Sequence, residues 1–546
     1  MNDYEVHLVE ELRAGRLTRR ELVRRAGVMG LSTSAVGALL AACGPGGAGS
    51  SSSTGHTRAP APVRGGSLKV SVIAPAAGID PVMVNDSGGV MTVQQVGEYL
   101  IATDANLHLI PLLAKAWKTG ATPDVWTFEL RRGVRFNDGS EMTADDVVAT
   151  FDRLTDKSVA SAALSAFAGV LSNGQIERID AYTVRFHLDR PVASFPYYVT
   201  QTVPQTLILP KGYVIGSFAK QPIGTGPFLL ESYNPQQAAT LRRNRRYWRR
   251  GLPFLDRVSL DYYADTTSQS LALQNGSIDV MAETPYGGDQ ALFSDPSLKV
   301  TFVPSSGYRA IHMRTTVKPF SDQRLRQALA LCLNRPQIVH ALFGGHATLG
   351  DDHGVAPIFP SSVPIAQRHQ DYATAKRLLA AAGYPRGMAL KLVSERYLEI
   401  PQYVQIVQQM VKPIGVDISL DLMPQAAYYG SGHNQPWLQV PFGCVDWAGR
   451  GTVSQLLTPA YTCNGIWNAA KWCDPRFGRL LNELDATLAL DRQRAISADL
   501  ERIQSTAVPA IIAYWLNEPR AMRHQVHGIA LTDTASLNLA RAYVRS

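Results

Sequence analysis

WTFELRRGVRFNDG, residues 126–139, and TADDV, residues 143–147, indicate strand, turn and helix in close succession. Apolar and polar residues alternate over Val125–Leu130, which predicts a half-buried strand, and the shorter Val134–Phe136 predicts a second one. The Asn-Asp-Gly that follows is typical of a turn. Thr143 then caps a helix whose first turn holds two acids, where the helix dipole favours negative charge. This stretch therefore predicts a mixed α/β unit.

The same alternation of strand and helix patterns extends along the chain. Ser67–Ile73 alternates as a strand, and its pattern is broken by Ile79-Asp80-Pro81. Further strands are predicted near 183–188, 239–243, 257–262 and 389–393, and helices near 323–332, 371–382, 401–412 and 491–506. No short internal repeat is visible. A mixed α/β chain of 546 residues exceeds a single core, so we expect two or more lobes.

Composition and charge exclude several classes of protein. The chain is 45% hydrophobic and 18% charged, and its net charge of +8 is a mild excess, well short of a polyanion binder. Five cysteines are too few for a disulfide-built scaffold. The S-x-x-K at residues 217–220 follows the K-T-G at 118–120, the reverse of the order in penicillin-recognising enzymes, and no S-D-N stands between them. An anchored hydrolase remains the less favoured alternative.

The N-terminal segment predicts export. Residues 1–42 contain arginine pairs followed by an uncharged run from residue 26, and LAAC at residues 40–43 resembles a bacterial lipobox with Cys43 as the acylated residue. The pair Arg19-Arg20 resembles a twin-arginine signal, and routing by the general secretory pathway remains open. Residues 43–64 are a Gly/Ser/Pro-rich flexible tether. We expect a lipid-anchored protein on the periplasmic or cell-surface face of a bacterial membrane.

An arginine run at residues 242–250 is the feature most typical of a nucleic-acid groove, since it holds six arginines with Tyr247 and Trp248. An exported protein has no routine access to DNA or RNA, so we expect no nucleic-acid partner. The preferred interpretation is a solvated rim behind an aromatic anchor, with attraction to acidic lipids or acidic ligands as the alternative.

Six separated motifs resemble one family, the extracellular solute-binding proteins of the peptide/nickel class, which capture substrate for ABC importers. They are residues 126–147, Pro222–Phe228, Arg243-Asn244 with Tyr247-Trp248, Leu255-Asp256, Gly276–Asp279, and Pro319–Asp322 with Arg326–Leu329 and Asn334-Arg335. The resemblance runs from about Gly65 to the C-terminus.

The resemblance implies an α/β fold of the periplasmic-binding-protein type, with two lobes, two chain crossovers and a central ligand cleft. The first lobe would comprise 65–305 with 518–546, enlarged by an inserted subdomain at about 109–214, and the second lobe 306–517. Such a protein binds a solute, here most simply a short peptide, closes on it, and delivers it to a membrane permease and its ATPase. It implies a monomer without enzymatic activity or cofactor. A ligand-sensing protein that reports to a membrane receptor is the alternative.

The resemblance places ligand contacts in the second lobe at residues 442–450. Asp446 matches the aspartate that holds a peptide's α-ammonium, and a plain surface aspartate is its alternative. Trp447 would either wall the cleft or fill the lobe core. Arg450 ends the same loop and is included among the candidate ligand contacts.

Three further candidates lie outside that loop. Arg314 stands where the family commonly has asparagine, and it would clamp a ligand carboxylate or pair with an acid of its own lobe. Asn85 and Asp86 follow the opening strand and would form the cleft lip, or else a loop without a ligand role.

The spacing of the cysteines predicts one disulfide, and the spacing of the histidines does not favour a metal site. Cys463 and Cys473 are predicted to form a disulfide, with two free thiols as the alternative and Cys444 as a competing partner, and Cys332 is expected to be buried in a helix. The acids and histidine at 351–353, with His346 upstream, favour a loop over a metal centre.

Overall fold

The computed structural model describes residues 62–76, 78–285, 290–430, 435–530, 532 and 536–545. The predicted export signal and the acylation site Cys43 lie outside the described residues, as does all of the tether before residue 62. Within the described residues, no helix has the length and apolarity needed to cross a membrane.

The strands, numbered in chain order, are β1 Ser67–Ile73, β2 Ile101–Thr103, β3 Leu109–Pro111, β4 Ala114–Thr119, β5 Val125–Leu130, β6 Ile176–Asp180, β7 Thr183–His187, β8 Phe228–Asn234, β9 Ala238–Arg243, β10 Arg257–Tyr263, β11 Val280–Met281, β12 Leu298–Met313, β13 Thr348–Leu349, β14 Met388–Arg396, β15 Val416–Pro424, β16 Phe442–Trp447, β17 Ala510–Ile511, β18 Tyr514–Arg523, β19 Val526–His527 and β20 Tyr543–Val544.

The helices are α1 Ser87–Val93, α2 Ala144–Thr155, α3 Leu164–Phe167, α4 Phe195–Tyr198, α5 Thr266–Gln274, α6 Gln290–Phe293, α7 Gln323–Leu331, α8 Arg335–Phe343, α9 Tyr372–Ala381, α10 Ile400–Val411, α11 Gln425–Tyr429, α12 Pro436–Gln439, α13 Val453–Tyr461, α14 Pro475–Ala486 and α15 Leu490–Ala507. Short 3₁₀ turns occupy Pro204–Thr206 and Lys412–Ile414.

Twelve of the described strands form one mixed sheet. Its main path runs β15-β14-β16-β12-β18-β11-β1-β10-β9-β8, with β13 beside β18 and β17 beside β12. Two groups of neighbours are parallel, β15-β14-β16 towards one end and β11-β1-β10 towards the other. The central strands β12 and β18 are antiparallel and connect the two groups.

These two long central strands pass from one hydrophobic core to another. The register of β12 against β18 is regular from Leu298 to Pro304, shifts, and resumes with Tyr308 opposite Trp515. On one side the core surrounds β1, β10 and the 114–187 region, and on the other side two cores surround β14, β16 and helices α10 and α13. The predicted α/β fold of the periplasmic-binding-protein type is confirmed.

The 126–139 stretch lies in a separate four-stranded sheet of order β4-β5-β7-β6. The Trp126 indole N–H donates to the carbonyls of Pro123 and Val192, each at 3.1 Å. Phe128 packs edge-on against Phe186 with ring centroids 5.4 Å apart. Aromatic pairs of this geometry add to the burial energy of a sheet and helix layer.

Local structure mostly follows the sequence pattern, with one exception. The β5 strand has the predicted bounds, and α2 begins after Thr143, whose backbone N–H donates to the Asp146 carboxylate at 2.7 Å. The predicted strand at 134–136 is wrong. The chain turns back immediately at Gly139, at a φ of 98°, and leaves only an isolated bridge between Arg135 and Glu141.

Candidate functional site

Three acidic side chains meet where two strands of the parallel group β15-β14-β16 end. Glu395 is the penultimate residue of β14, Asp446 is the penultimate residue of β16, and Glu399 directly precedes α10. In open α/β sheets, ligands bind in the crevice outside the carboxyl ends of the strands. The acids therefore occupy the edge of the sheet at which a ligand is expected.

Arg309 lies among these acids on the neighbouring strand β12, in register with Asp446. Its side chain is 2% exposed; its guanidinium contacts the Asp446 carboxylate directly, and its Nε lies 2.8 Å from Glu399 Oε1. The Tyr514 hydroxyl donates to the same Glu399 oxygen at 3.2 Å. A buried charge this well paired is held in one orientation.

Glu395 is fully buried and is held by neutral groups. It accepts hydrogen bonds from the Tyr429 hydroxyl at 2.6 Å and the Gln425 amide at 2.8 Å. Burial raises its pKa, and the nearby Asp446 charge raises it further, while Arg309 acts in the opposite direction. The Tyr429 hydroxyl also accepts the backbone N–H of Asp446 at 3.1 Å, which links the ends of the two strands.

Asp446 is the accessible member of the cluster, with its side chain 24% exposed. Burial raises its pKa despite the contact with Arg309, and the Glu399 charge acts in the same direction as burial. Three carboxylates here face Arg309 and Arg450, so the cluster carries a formal charge of −1 when all are ionised. An additional cation would stabilise it.

Arg450 connects the candidate ligand loop to β12. Its backbone N–H donates to the Ser306 hydroxyl at 2.7 Å, and that hydroxyl donates to the Arg450 carbonyl at 2.8 Å. Its Nη1 donates to the Gly449 carbonyl at 3.0 Å. Burial lowers its pKa, and the Asp446 charge opposes that effect. Ser306 lies within the register shift of β12, so the loop is fixed to a strand that connects the two sides of the molecule.

Trp447 and Arg314 are not brought to this cluster. Trp447 is 8% exposed and belongs to a hydrophobic core, where it stacks against Tyr308 with centroids 6.1 Å apart, so its contacts match the core alternative. Arg314 lies five residues beyond Arg309, roughly 17 Å along a strand. Its guanidinium donates to the Leu438 carbonyl at 2.6 Å.

The two residues predicted to form a cleft lip lie at the start of α1. Asp86 is the N-cap of α1, and its Oδ1 accepts the backbone N–H of Gly89 at 2.8 Å, while Asn85 is exposed. Beyond β11, Glu283 is half-buried near Arg520, and its desolvation raises its pKa. Glu283 follows the carboxyl end of β11, in the parallel group β11-β1-β10.

Arg309, Glu395, Glu399 and Glu283 were missed by the sequence reasoning. A signal for Arg309 is present, since it is the one residue that is charged at every ordinary pH in the stretch from Tyr308 to Met313, where His312 is the other polar side chain. A charged side chain in a strand buried on both faces needs partners, so it indicates a functional or structural ion cluster.

The two sides of the molecule also touch directly, through residues outside the acidic cluster. Arg190 forms an ion pair with Asp485 of α14 at 2.6 Å, and Asp485 is 5% exposed at its side chain. A cavity of about 100 Å³ lies at this contact, lined in part by Tyr197 and Thr452. The neighbouring Gly451 is required by close approach, since a Cβ there would lie 2.8 Å from a Thr202 methyl carbon.

The 351–353 segment forms an internal ion-pair network. Both Asp352 oxygens accept from Arg335 Nη2 at 2.8 and 2.7 Å, and Arg368 Nε lies 2.8 Å from one of them. Burial lowers the pKa of His353 to about 4. Within the described ranges, no group of three or more His, Cys, Asp or Glu side chains is arranged to hold a metal ion.

The Cys463–Cys473 disulfide is present, closing a loop with a sequence separation of ten. Cys332 and Cys444 are buried free thiols, and burial raises the pKa of Cys332 to about 12.

Comparisons with known proteins agree with this architecture. Residues 108–466 match the family model for bacterial extracellular solute-binding proteins, family 5 middle region. The glutathione-binding protein GsiB of Shigella flexneri is 28% identical over 395 residues, which cover 70% of this chain and 75% of GsiB.

Solved structures show the same fold at lower identity. HbpA2 from Haemophilus parasuis superimposes with a TM-score of 0.78 at 22% identity, covering 88% of this chain and 100% of HbpA2. The periplasmic binding protein DppA from Helicobacter pylori, in complex with the peptide STSA, has a TM-score of 0.70 at 22% identity, covering 89% and 99% of the two chains. The family match covers well over half of the chain, so this protein belongs to the bacterial extracellular solute-binding proteins of family 5, a non-enzymatic family, and is the substrate-binding component of an ABC importer.

Proposed function

We propose that the solute is a short peptide whose α-ammonium group is bound beside Asp446. The observation that carries this proposal is the excess of carboxylates over guanidinium groups at the carboxyl ends of β14 and β16. An ammonium group supplies the missing positive charge and three hydrogen-bond donors. Glutathione and STSA, the ligands in the names of two similar proteins, both have a free amino group.

In this proposal, one residue of the cluster contacts the ligand and the others hold it in position. Asp446 is the partly exposed acid and contacts the ligand. Arg309 holds Asp446 and Glu399 in place, and Tyr429 joins Glu395 to the Asp446 backbone. Closure of the lobes removes water from the ion pair and strengthens it, which favours the closed form when ligand is bound.

The bound ligand is identified first, by mass spectrometry of small molecules released from the denatured protein after purification without refolding. A peptide found there is then synthesised with a free and with an acetylated N-terminus, and both are titrated by calorimetry into the wild type and Asp446→Asn. We expect Asp446→Asn to weaken binding of the free peptide at least tenfold, roughly 1.4 kcal/mol. Acetylation should weaken binding to the wild type but add little in the variant.

Asp421→Asn is the matched control, because Asp421 is 43% exposed on β15 and pairs only with Lys391 among the contacts of the described residues. It should leave the affinity within twofold. Equal losses on acetylation in the wild type and Asp446→Asn would remove Asp446 from the ammonium site. A non-peptide ligand would refute the peptide proposal itself.

The chain is further proposed to be exported and anchored by a lipid on Cys43, with residues 43–64 as the tether. The two lobes are then 65–305 with 518–546 and 306–517, and the bound solute passes to an ABC permease. The lipobox and the Gly/Ser/Pro composition support this. Metabolic labelling with a palmitate analogue tests it, since Cys43→Ser should abolish incorporation. Labelling that persists in the variant contradicts the anchor.

A further inference from the structure

A cavity of about 890 Å³ lies in the proposed first lobe. Its walls come from the β3 to β4 region, the 130–134 turn, residues 247–254 and the C-terminal segment around Leu537. This volume is within the range of small-molecule binding sites. The walls include no residue of the Asp446 cluster, so the cavity is separate from the proposed peptide site.

The cavity walls are strongly basic. Seven of the described lining residues are Lys or Arg, and Glu98 is the one acid among them. Two cations, Arg249 and Arg250, come from the arginine run, and two more, Arg131 and Arg132, come from the stretch that defines the fold. Cations from distant parts of the chain thus converge on one concave surface, where their combined field is concentrated.

The one acid is engaged within the protein. Glu98 is 5% exposed and accepts hydrogen bonds from the Tyr247 hydroxyl at 2.5 Å, the Trp248 indole N–H at 2.6 Å and the Thr225 hydroxyl at 2.9 Å. Burial raises its pKa. These bonds explain the aromatic pair of the arginine run: Glu98 fixes both rings beneath the cavity.

The fixed Trp248 ring in turn positions two guanidinium groups. Arg131 lies 5.3 Å and Arg249 5.9 Å from the ring centroid, within the range of a cation–π interaction. Arg131 Nε also donates to the Leu112 carbonyl at 2.6 Å. The guanidinium groups at this wall are therefore preorganised, which lowers the entropic cost of binding a ligand.

We infer that this cavity binds a phosphate-bearing anion. Guanidinium groups match phosphate oxygens in paired hydrogen bonds, and several converging cations favour a group with more than one negative charge. The exposed Arg64, which borders the cavity, is the last residue of the Gly/Ser/Pro-rich segment 43–64, and its guanidinium donates to the Gly251 carbonyl at 3.1 Å. A phospholipid headgroup and a free phosphate compound offer the same chemistry, and the experiment distinguishes them.

The test uses the full-length chain with Cys43→Ser, so that acylation does not contribute to membrane binding. Free phosphate is represented by inorganic pyrophosphate in calorimetry. Lipid is represented by flotation with vesicles of phosphatidylglycerol and phosphatidylcholine, compared with phosphatidylcholine alone. Arg249→Gln with Arg250→Gln removes two cavity cations. Arg245→Gln with Arg246→Gln is the matched control, since it removes two arginines of the same run that do not line the cavity.

We expect the cavity pair to weaken binding of pyrophosphate or of phosphatidylglycerol vesicles at least tenfold, and the control pair to change it less than twofold. Binding of pyrophosphate alone identifies a free phosphate compound, and vesicle binding alone identifies a lipid headgroup. A second variant, Lys115→Gln with Arg250→Gln, removes two lining cations and keeps Arg131 and Arg249, the two arginines that lie over Trp248. It should also weaken binding. The inference is overturned if the wild type binds neither probe, or if the cavity and control pairs lose affinity equally. Peptide affinity serves as a folding check and should be unchanged in every variant.

Discussion

Replacing Arg190 by methionine should shift the protein towards an open form, because Arg190 and Asp485 connect two separate hydrophobic cores. Arg190 follows Leu188 of the first core, while Asp485 lies on α14 next to Leu484 of another. Their ion pair at 2.6 Å exists only when the two sides touch. Methionine keeps much of the side-chain volume and removes the charge.

The magnitude follows from the burial of each partner. Breaking a fully buried pair costs about 3–5 kcal/mol, because the remaining charge stays buried without compensation. Arg190 is 37% exposed, so solvent screens part of the interaction, and we reduce the estimate to about 1.5 kcal/mol. Since about 1.4 kcal/mol corresponds to a factor of ten, ligand affinity should fall somewhat more than tenfold through a smaller closed population.

The effect should also depend on pH. Burial raises the pKa of Asp485, and Arg190 opposes that rise. Without Arg190, the pKa of Asp485 rises further in the closed form, where the carboxyl is buried. In an open form the carboxyl is hydrated, so Asp485 takes up a proton more readily in the closed form. Protonation removes the unpaired charge, and the affinity defect of Arg190→Met should therefore shrink as the pH falls from 8 to 5.

The assay combines calorimetric titration of the peptide identified by mass spectrometry with small-angle scattering of the ligand-free and ligand-bound protein. Arg185→Met is the control, because it breaks the exposed pair between Arg185 and Glu177 within one sheet. It should change affinity less than twofold. Unaltered affinity and scattering in Arg190→Met, or an equal loss in the control, would refute the role of this contact in closure.

Three further variants test what stabilises the fold. Burial raises the pKa of Glu501 from 4.5 to about 7, so ionisation of its carboxyl destabilises the folded protein as the pH rises through that window. Glu501→Gln should therefore raise the free energy of unfolding at pH 8, measured in urea, by up to about 3 kcal/mol. The prediction is contradicted if the free energy of unfolding depends on pH equally in the wild type and the variant. Cys463→Ser with Cys473→Ser opens the disulfide loop and should lower the free energy of unfolding by about 3 kcal/mol, seen as a lower midpoint of thermal unfolding in calorimetry. Equal midpoints for the wild type and the variant would count against this contribution. Asp352→Asn leaves buried guanidinium groups without their charged partner and should lower the free energy of unfolding by about 3–5 kcal/mol, measured with denaturant. The exposed Asp421→Asn is the control and should lower it by less than about 1 kcal/mol. Equal losses in the two variants would disprove the contribution of the Asp352 ion pairs.

Local sequence accounted for elements whose stability is largely local. The β5 strand and the start of α2 follow from alternation and from the acid three residues after Thr143. The prediction of a strand at 134–136 was wrong, because alternation over three residues does not indicate whether a partner strand continues beside it. Its neighbour across the Gly139 turn offers one bridge only.

The candidate site could be predicted only in part. Asp446 was found through its resemblance to a ligand loop, and the structure places it at the end of a parallel strand, where its role in ligand binding remains a proposal. Glu395 and Glu399 are about fifty residues away in sequence, and no spacing rule relates them to Asp446. They meet because β14 and β16 are parallel neighbours whose carboxyl ends share one edge.

The sequence by itself determined the α/β class, the family and the capping of individual helices, because these depend on residue patterns within a few turns or on motifs in a fixed order. Tertiary structure alone decided which charges share a site. Arg309 is compensated by acids from two other elements, and the arginines beside Trp248 surround a cavity formed with the C-terminal segment. Electrostatic energy depends on distance and burial in space, and neither is encoded in the separation of residues along the chain.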